Sequence, residues 1–396
     1  MSTRRSILII DNFFGRERMS YSKPLEGIKI VEISTIVTAS LATMMMADQG
    51  AEVIKIEQSG IGDPMRYLGT QKGGVSALFA NCNRGKKSID LNLKEKGDLE
   101  IVKKLISDAD ILINNFRPGV MEKIGLGESD CKKINSNLIY ASINGFGNSG
   151  PYSSAPAYDH VVQAMAGATD IQSDLDEPAY IKTLLCDKIT AYTVCQSLSS
   201  ALFKRERTGI ADRLNLCMID SAVFFLWPDG MMIHTLLDDD VVTLPALTKS
   251  YNLYKCKDGF LSIAALSDAQ WFGIFRALGL PEYIEDERFN NPFARSENMV
   301  ELVKSLTIFE SLTVDDALQK LQNEDVPCSK TISLDELMTH PQIEANNLFQ
   351  LINSASQGKV RALRYPTKFD GNEMFNGKPA PALGEHKKEI IESLSN

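Results

Sequence analysis

Along the first half of the chain, short apolar runs of strand length alternate with longer segments of helical pattern. This order predicts parallel strands joined by helices. Residues 27–33 and 52–57 are apolar runs of strand length, and residues 39–49 between them form a predicted helix that Gly50 ends. This spacing implies a right-handed parallel crossover, the beginning of a Rossmann-like doubly wound α/β sheet. The alternation continues with strands predicted at 88–93, 111–116 and 138–144 and helices at 97–107 and 118–124.

Residues 183–212 predict a long helix with one apolar face and a sharp end at Gly209. The residues at three- and four-residue spacing on that face are Ile189, Tyr192, Cys195, Leu198, Ala201 and Leu202. Asp187 stands just before this periodic run. Two readings are open there: an N-cap that accepts backbone N–H groups, or a carboxylate nucleophile held at a helix N-terminus.

The pattern changes after residue 220, which predicts a second domain. Residues 251–265 predict a hairpin that turns at Asp258 and Gly259. We expect an N-terminal extension (1–23), a large domain (24–220), a linker (221–245), a smaller α+β domain (246–330) and a linker with a C-terminal return to the large domain (331–396).

Composition and charge narrow the class of protein. The chain has 396 residues, 44% of them hydrophobic, and a net charge of −9, which argues against a nucleic-acid or polybasic membrane surface. Seven cysteines without a paired motif and four scattered histidines indicate reduced thiols, a cytoplasmic location and no metal site. No apolar run reaches the ~18 residues of a membrane span. The turn at 34–40 lacks glycine, so a dinucleotide fingerprint is absent.

The candidate site follows from the predicted sheet. Ligands of open α/β sheets bind at the carboxyl ends of the strands. Residues 35–39, 58–66, 115–116 and 145–159 all follow predicted strands and are expected to meet there.

Several segments together resemble the family III CoA-transferases, the group of formyl-CoA and carnitine-CoA transferases, over about residues 24–393. They are PLEGIKIVEIS, AEVIKIE followed by GDPMR, NRGKKSIDLNLK, INNFRPGVMEKIGL, GFGNSGPYSSAPAYDHVVQAMAG and PALGEH. The resemblance implies an acyl-CoA donor, a carboxylic acid acceptor, no permanently bound cofactor and an interlocked homodimer. It places the catalytic aspartate at Asp187 and implies that CoA moves through aspartyl anhydride and aspartyl-CoA intermediates.

The resemblance also implies a set of CoA contacts. They are Thr35, Ile36, Val37, Thr38, Ala39, Gln58, Leu91, Asn115, Phe116 and Lys123, with Tyr158 beside the thioester. Gln58 stands where family members often have arginine, so the phosphate contacts are expected to shift to Lys123, Arg66, Lys86 or Lys87. For these cations a solvated surface position is an equal alternative.

Rival readings concern the nucleophile and the reaction. Cys186 is adjacent but lacks an evident base, His160 lies beside an apolar run, and Asp159 is a candidate for shaping the site. Related racemases have histidine where Tyr158 stands, so tyrosine favours transfer over 2-methylacyl-CoA racemase or epimerase action. A non-catalytic acyl-CoA binding protein is a further alternative, against which Asp187 argues.

The resemblance leaves the substrates open. The glycine-rich loop of formyl-CoA transferase has no counterpart between Pro245 and Tyr254, which disfavours formyl-CoA and oxalate. Succinyl-CoA, or another dicarboxylic or branched acyl-CoA, remains as donor.

Overall fold

The chain divides into two compact units. The computed structural model describes residues 23–173, 177–243 and 251–395. One unit contains the described residues of Met1–Leu226 and Leu348–Asn396, and the other contains those of Trp227–Asn347. The second unit therefore starts before residue 246, the predicted start of the small domain. It also ends after residue 330, the predicted end, because the short helices that follow its last strand belong to it. The predicted N-terminal extension, apart from Lys23, lies outside the described residues.

A parallel sheet forms the centre of the first unit. The strands of this unit up to Leu226 are β1 (Lys29–Ile33), β2 (Glu52–Gln58), β3 (Gln71–Lys72), β4 (Val75–Ser76), β5 (Lys87–Leu91), β6 (Ile111–Asn114), β7 (Ile139–Asn144) and β8 (Arg213–Cys217). Six of them form one sheet in the order β5-β2-β1-β6-β7-β8, and every neighbouring pair is parallel. The predicted central parallel sheet is confirmed. The order reverses between β1 and β6, which makes their carboxyl ends the expected ligand position.

Helices cover both faces of this sheet. They are α1 (Thr38–Asp48), α2 (Ala77–Asn83), α3 (Lys96–Ser107), α4 (Val120–Lys123), α5 (Glu128–Ile134), α6 (Asp159–Met165), α7 (Ala168–Ile171), α8 (Leu185–Thr208) and α9 (Met218–Gly230), with a 3-10 helix at Pro64–Tyr67. Ile30 packs in one core cluster with residues of α1 and α8, whereas Val31 packs in another with residues of α3 and α5. Neighbouring strand residues point to opposite faces, so each strand is apolar on both sides.

Helix α8 is the predicted long helix, and it ends as predicted. Gly209 follows it with φ 70°, and its N–H donates to the Arg205 carbonyl. The predicted burial of the apolar face is confirmed at Ile189, Leu198 and Leu202. The prediction is wrong at Tyr192, which is 55% exposed. Neither α8 nor any other helix of the described ranges has the length and apolar character needed to cross a membrane.

The last segment of the chain returns to the first unit. It forms β12 (Phe349–Ser354), β13 (Gly358–Leu363), β14 (Lys368–Phe369), β15 (Asn372–Glu373) and α16 (Lys387–Ser393), numbered after the strands of the second unit. Arg66 Nη1 donates to the Pro381 carbonyl at 3.1 Å, and the Gly384 N–H donates to Ser88 Oγ at 3.0 Å. These bonds attach the PALGEH segment to the large sheet.

The second unit is a small α+β body. It contains β9 (Leu253–Lys255), β10 (Phe260–Ile263), β11 (Cys328–Lys330), α10 (Asp268–Leu278), α11 (Pro292–Glu297), α12 (Met299–Ser305), α13 (Val314–Asn323), α14 (Leu334–Leu337), α15 (Pro341–Ala345) and 3-10 helices at Met232–His234, Pro281–Ile284 and Leu306–Ser311. Strands β9 and β10 form the predicted antiparallel hairpin, to which β11 adds a third strand. Leu261, Ile274 and Phe309 lie in its core.

Candidate active site

A pocket opens at the point where the strand order of the large sheet reverses. Its volume is about 240 Å³. Its walls come from the loops after β1, β6 and β7 and from the start of α8 and α9. The predicted site residues among its lining are Thr35, Ile36, Val37, Thr38, Asn115, Phe116, Tyr158 and Asp187. The sheet topology therefore brings together residues that are up to 152 positions apart in sequence (187 − 35).

Asp187 lies in the first turn of α8 and is only 7% exposed. The N-cap reading is wrong, because the N-cap residue is Leu184, whose side chain makes no capping hydrogen bond. The Asp187 backbone N–H instead donates to Asp159 Oδ2 at 2.9 Å. That N–H is therefore engaged by a side-chain carboxylate. No hydrogen bond to the Asp187 carboxylate occurs within the described part of the chain.

A buried amide links Asp159 to the segment that leads into α8. Gln163 Nε2 donates to Asp159 Oδ1 at 2.6 Å and to the Thr183 carbonyl at 2.9 Å. The Ile181 N–H donates to Gln163 Oε1 at 3.2 Å. Asp159 and Gln163 are 3% and 1% exposed. This network fixes the first turn of α8, and with it the backbone that carries Asp187.

The electrostatic environment makes the Asp187 carboxylate unusually basic. Burial, and then the neighbouring Asp159 carboxylate, raise the pKa of Asp187 to about 7. The positive end of the helix dipole favours the ionised carboxylate, and these two effects oppose it. A carboxylate with such a pKa is a stronger nucleophile than an exposed one, but only in its deprotonated form.

The neighbouring candidates have other environments. Cys186 is fully buried, and burial, followed by the charges of Asp159 and Asp187, raises the pKa of its thiol to about 12. A thiol of that pKa carries almost no thiolate at neutral pH. The His160 ring packs edge-on against Tyr180 at 6.3 Å between centroids, and His160 is absent from the pocket lining. Tyr158 does line the pocket and is 63% exposed.

Asn115 joins the loops after β1 and β6 across the switch point. Its Oδ1 accepts the Thr35 N–H at 3.0 Å, and its Nδ2 donates to the Thr35 carbonyl at 2.6 Å and to Thr38 Oγ1 at 3.2 Å. Ile36, the next residue, has φ 63°, in the left-handed region that β-branched residues rarely adopt. The loop that forms this wall of the pocket is therefore held in one specific shape.

Other predicted contacts lie away from the pocket lining. Ala39 is a fully buried residue of α1 in the core on one face of the sheet, and Leu91 is 1% exposed in the core on the other face. Gln58 is exposed at the end of β2, where it pairs with Leu91. Lys123 is exposed on α4 outside the lining.

Three of the proposed phosphate-binding cations have carboxylate partners instead. Arg66 is 2% exposed, donates to both oxygens of Glu57 at 2.7 and 2.8 Å, and stacks over the Phe79 ring. Lys86 is 3% exposed and pairs with Glu32 at 2.7 Å. Lys87 pairs with Glu52 and Glu389. The predicted phosphate contact is therefore wrong for Arg66 and Lys86, because a buried cation that already has a carboxylate partner is not free to bind a phosphate.

Arg117 is the cation in the pocket lining, and sequence reasoning missed it. It follows Asn115 and Phe116 directly, is exposed, and forms no ion pair within residues 23–173, 177–243 and 251–395. Its position in the quoted INNFRPG segment, at the carboxyl end of β6, was the available signal. Its location fits it to bind an anion at the pocket mouth.

Gly145 explains how the loop after β7 folds back on itself. A Cβ atom at Gly145 would lie 2.2 Å from the Cβ of Ala157, so no larger residue fits without a shift. The close approach brings Ala157 and Tyr158 to the pocket wall.

Comparisons with known proteins agree with this geometry. The family model for CoA-transferase family III matches residues 25–387. A mouse succinyl-CoA:glutarate CoA-transferase is 31% identical over 94% of this chain and 86% of its own length. A probable fatty acyl-CoA transferase of Mycobacterium tuberculosis is 30% identical over 93% of this chain and 98% of its own. A formyl-CoA:oxalate CoA-transferase of Shigella sonnei is 30% identical over 94% of this chain and 96% of its own length.

Solved structures share the fold over nearly the whole chain. A CAIB/BAIF family protein from Brucella suis superposes with a TM-score of 0.81 at 30% identity, over 94% of this chain and 99% of that one. A crystal structure of the Mycobacterium tuberculosis protein superposes with a TM-score of 0.83 at 30% identity, over 93% of this chain and 99% of that one. The predicted family resemblance is confirmed. The chain belongs to CoA-transferase family III and is an acyl-CoA:carboxylate CoA-transferase.

Proposed function

We propose that the protein moves CoA from an acyl-CoA to a carboxylic acid with Asp187 as the nucleophile. The observation that carries this proposal is the Asp187 carboxylate, which is buried, has a raised pKa and lines the pocket at the switch point of the sheet. A carboxylate nucleophile needs a site of low water content, because the anhydride it forms would otherwise hydrolyse. Burial of Asp187 meets that need.

The proposed reaction has four steps and requires no net oxidation. Asp187 Oδ attacks the thioester carbonyl, the C–S bond breaks, and a mixed anhydride and CoA thiolate form. The thiolate attacks the aspartyl carbonyl, which releases the donor acid and leaves an aspartyl-CoA thioester. The acceptor carboxylate then displaces the thiolate to form a second anhydride. The thiolate finally attacks the acceptor acyl carbonyl, which regenerates the Asp187 carboxylate.

The CoA contacts in this proposal follow the pocket lining. Thr35, Ile36, Val37 and Thr38 form one wall, and Asn115 and Phe116 lie directly beside it. Arg117 takes the role of phosphate contact, since it lines the pocket beside these residues and forms no ion pair with any residue that the structure describes. Tyr158 lies by the thioester. The finer placement of Gln58, Leu91 and Lys123 beside CoA has no support from the lining.

We propose succinyl-CoA, or another dicarboxylic or branched acyl-CoA, as donor. The mouse relative is named a succinyl-CoA:glutarate CoA-transferase, which supports a dicarboxylic pair. The racemase alternative has less support, because no histidine of the described residues lines the pocket that contains Asp187.

We also propose that the protein is an interlocked homodimer. Beside α8 a groove of about 650 Å³ is lined by Tyr192, Phe203 and Tyr365. Large apolar side chains are exposed elsewhere on the first unit, with Phe224 82% and Phe225 57% exposed. Exposed apolar area of this kind is typical of surfaces that a partner covers.

The Asp187→Asn variant tests the reaction. Asparagine keeps the shape of the side chain but cannot form the anhydride. We expect a folded variant whose CoA transfer from succinyl-CoA to a panel of acids falls by several orders of magnitude. Chromatography of the CoA esters measures it. Full activity in this variant would contradict the proposed nucleophile, whereas Cys186→Ala is the matched control and should retain transfer.

A further inference from the structure

The backbone of Ile36 is strained, and the strain lies in the wall of the pocket. Its φ of 63° places a β-branched residue in the left-handed region. Glycine or asparagine would adopt this conformation at lower cost, yet the chain has neither at 34–40. Such strain persists only where surrounding contacts impose it.

Asp63 accepts the hydrogen bond of the strained residue. The Ile36 N–H points between the two carboxylate oxygens of Asp63, at 3.1 and 3.2 Å. The same carboxylate accepts the Met65 N–H at 2.9 Å and thereby caps the 3-10 helix Pro64–Tyr67. Asp63 is 1% exposed and does not itself line the pocket. It therefore acts on the pocket through the backbone of Ile36.

Lys55 holds the Asp63 carboxylate in place. Its Nζ lies 3.1 Å from Asp63 Oδ2 and 2.6 Å from Glu32 Oε1, and all three side chains are 0% exposed. Lys55 Nζ also donates to the Ser34 carbonyl at 3.0 Å, one residue before the pocket loop. Glu32 is held in turn by Lys86 at 2.7 Å. Buried charges with this many partners keep fixed positions.

We propose that Asp63, held by Lys55, is a positioning residue that fixes Ile36 in its left-handed conformation and so shapes the Thr35–Thr38 wall for CoA. The inference rests on the proposed function, in which that wall takes CoA. Asn115 secures Thr35 and Thr38, which precede and follow Ile36 in the loop, while Asp63 accepts the N–H of Ile36 itself. Loss of Asp63 would release Ile36 to ordinary φ values and misplace the wall.

The first experiment measures coenzyme A binding by titration calorimetry in wild type, Asp63→Asn and a matched control. Asp48→Asn is the control, because Asp48 is also buried, pairs with Arg84, and accepts the Asn376 N–H at 3.1 Å at the far end of α1. We expect the Kd for coenzyme A to rise about tenfold in Asp63→Asn, which is the scale of strain at one left-handed residue. Asp48→Asn should lower the Tm and leave the Kd unchanged.

The second experiment tests the route through Ile36. Glycine at 36 adopts a left-handed conformation without the steric cost, so Ile36→Gly should restore much of the affinity lost in Asp63→Asn. A purely structural role of Asp63 predicts no such rescue. Residue-resolved hydrogen exchange on wild type adds a readout that needs no variant to fold: the Ile36 amide should be protected although it lies in a loop.

The outcomes are separable. An unchanged Kd in Asp63→Asn, no rescue by Ile36→Gly, or rapid exchange of the Ile36 amide would overturn the positioning role alone. Absence of coenzyme A binding in wild type would overturn the proposed function, and the positioning role with it.

Discussion

Single residues set the acid–base behaviour of the site. In the proposed mechanism Asp187 attacks only when deprotonated, yet burial and Asp159 raise its pKa to about 7. Transfer should therefore increase with pH through about 7, because the reactive fraction of Asp187 increases there.

Asp159→Asn tests this origin of the pKa. Removing the like charge should lower the pKa of Asp187, so the rising limb of kcat/KM against pH moves to lower pH. Asp170→Asn is the matched control, since Asp170 is exposed on α7 outside the pocket lining, and should leave the limb in place. A wild-type limb below pH 5, or no shift in Asp159→Asn, would contradict this account.

The same pKa has a consequence for stability. A carboxyl whose pKa is raised in the folded state binds more protons folded than unfolded between pH 4 and 7, so its contribution to stability falls as pH rises through that window. A shift of the Asp187 pKa from 3.8 to about 7 lowers the free energy of unfolding by up to ~4 kcal/mol above pH 7. Asp187→Asn should therefore have a higher free energy of unfolding than wild type at pH 8, measured with urea, and no advantage at pH 4. A less stable variant at pH 8 would contradict the buried, unpartnered carboxylate.

Arg117 is the residue-scale prediction for CoA binding. Arg117→Met keeps the length of the side chain and removes its charge, so the KM for acyl-CoA should rise about tenfold or more while kcat changes little. Lys123→Met removes a nearby exposed cation that the pocket lining excludes, and it should leave both constants unchanged. If Lys123→Met raised KM and Arg117→Met did not, the phosphate contact would lie at the position first expected from the resemblance.

At the scale of elements, α8 depends on its last turn as well as on its first. Gly209 adopts φ 70° after Thr208, and alanine there would be strained. Gly209→Ala should lower the free energy of unfolding by ~1–2 kcal/mol. Gly97→Ala, in α3 with ordinary φ and open space around it, should be neutral or raise stability by ~0.4–1 kcal/mol. Equal effects of the two changes would argue against the left-handed cap.

The element pattern was predictable where local signals agree with the tertiary structure. Strands buried on both faces and helices between them are visible as apolar runs of two lengths, so the parallel sheet and α8 were predicted correctly. The spacing also predicts Tyr192 on the buried face, but spacing alone does not reveal which edge of the apolar stripe packs, and Tyr192 is exposed. The N-cap is Leu184 and not Asp187, and the Asp187 N–H donates to Asp159 of α6, a tertiary contact that spacing along the chain does not reveal.

Site residues were predictable only as far as the sheet topology determines them. Residues that follow β1, β6 and β7 converge as expected. Arg66 and Lys86 could not be separated from ligand-binding cations, since their partners Glu57 and Glu32 come from neighbouring strands. Burial of an ion pair is a tertiary property, and a single chain pattern does not display it.

At the scale of the whole molecule, the proposed assembly predicts unusual resistance to dissociation. Chains that thread through one another separate only by unfolding, so the dimer should persist on dilution. We expect light scattering and sedimentation to give the mass of two chains down to sub-micromolar protein. A monomer that appears reversibly on dilution, with its secondary structure intact, would contradict interlocking.

The most direct test of the central claim is to identify the residue that carries the covalent intermediate. Wild-type protein is mixed with succinyl-CoA without acceptor, quenched with hydroxylamine or borohydride, digested and examined by peptide mass spectrometry. We expect a single modified residue, Asp187, in the peptide that begins α8, and no adduct in Asp187→Asn. An adduct on Cys186, or no adduct while transfer proceeds, would contradict the aspartyl mechanism.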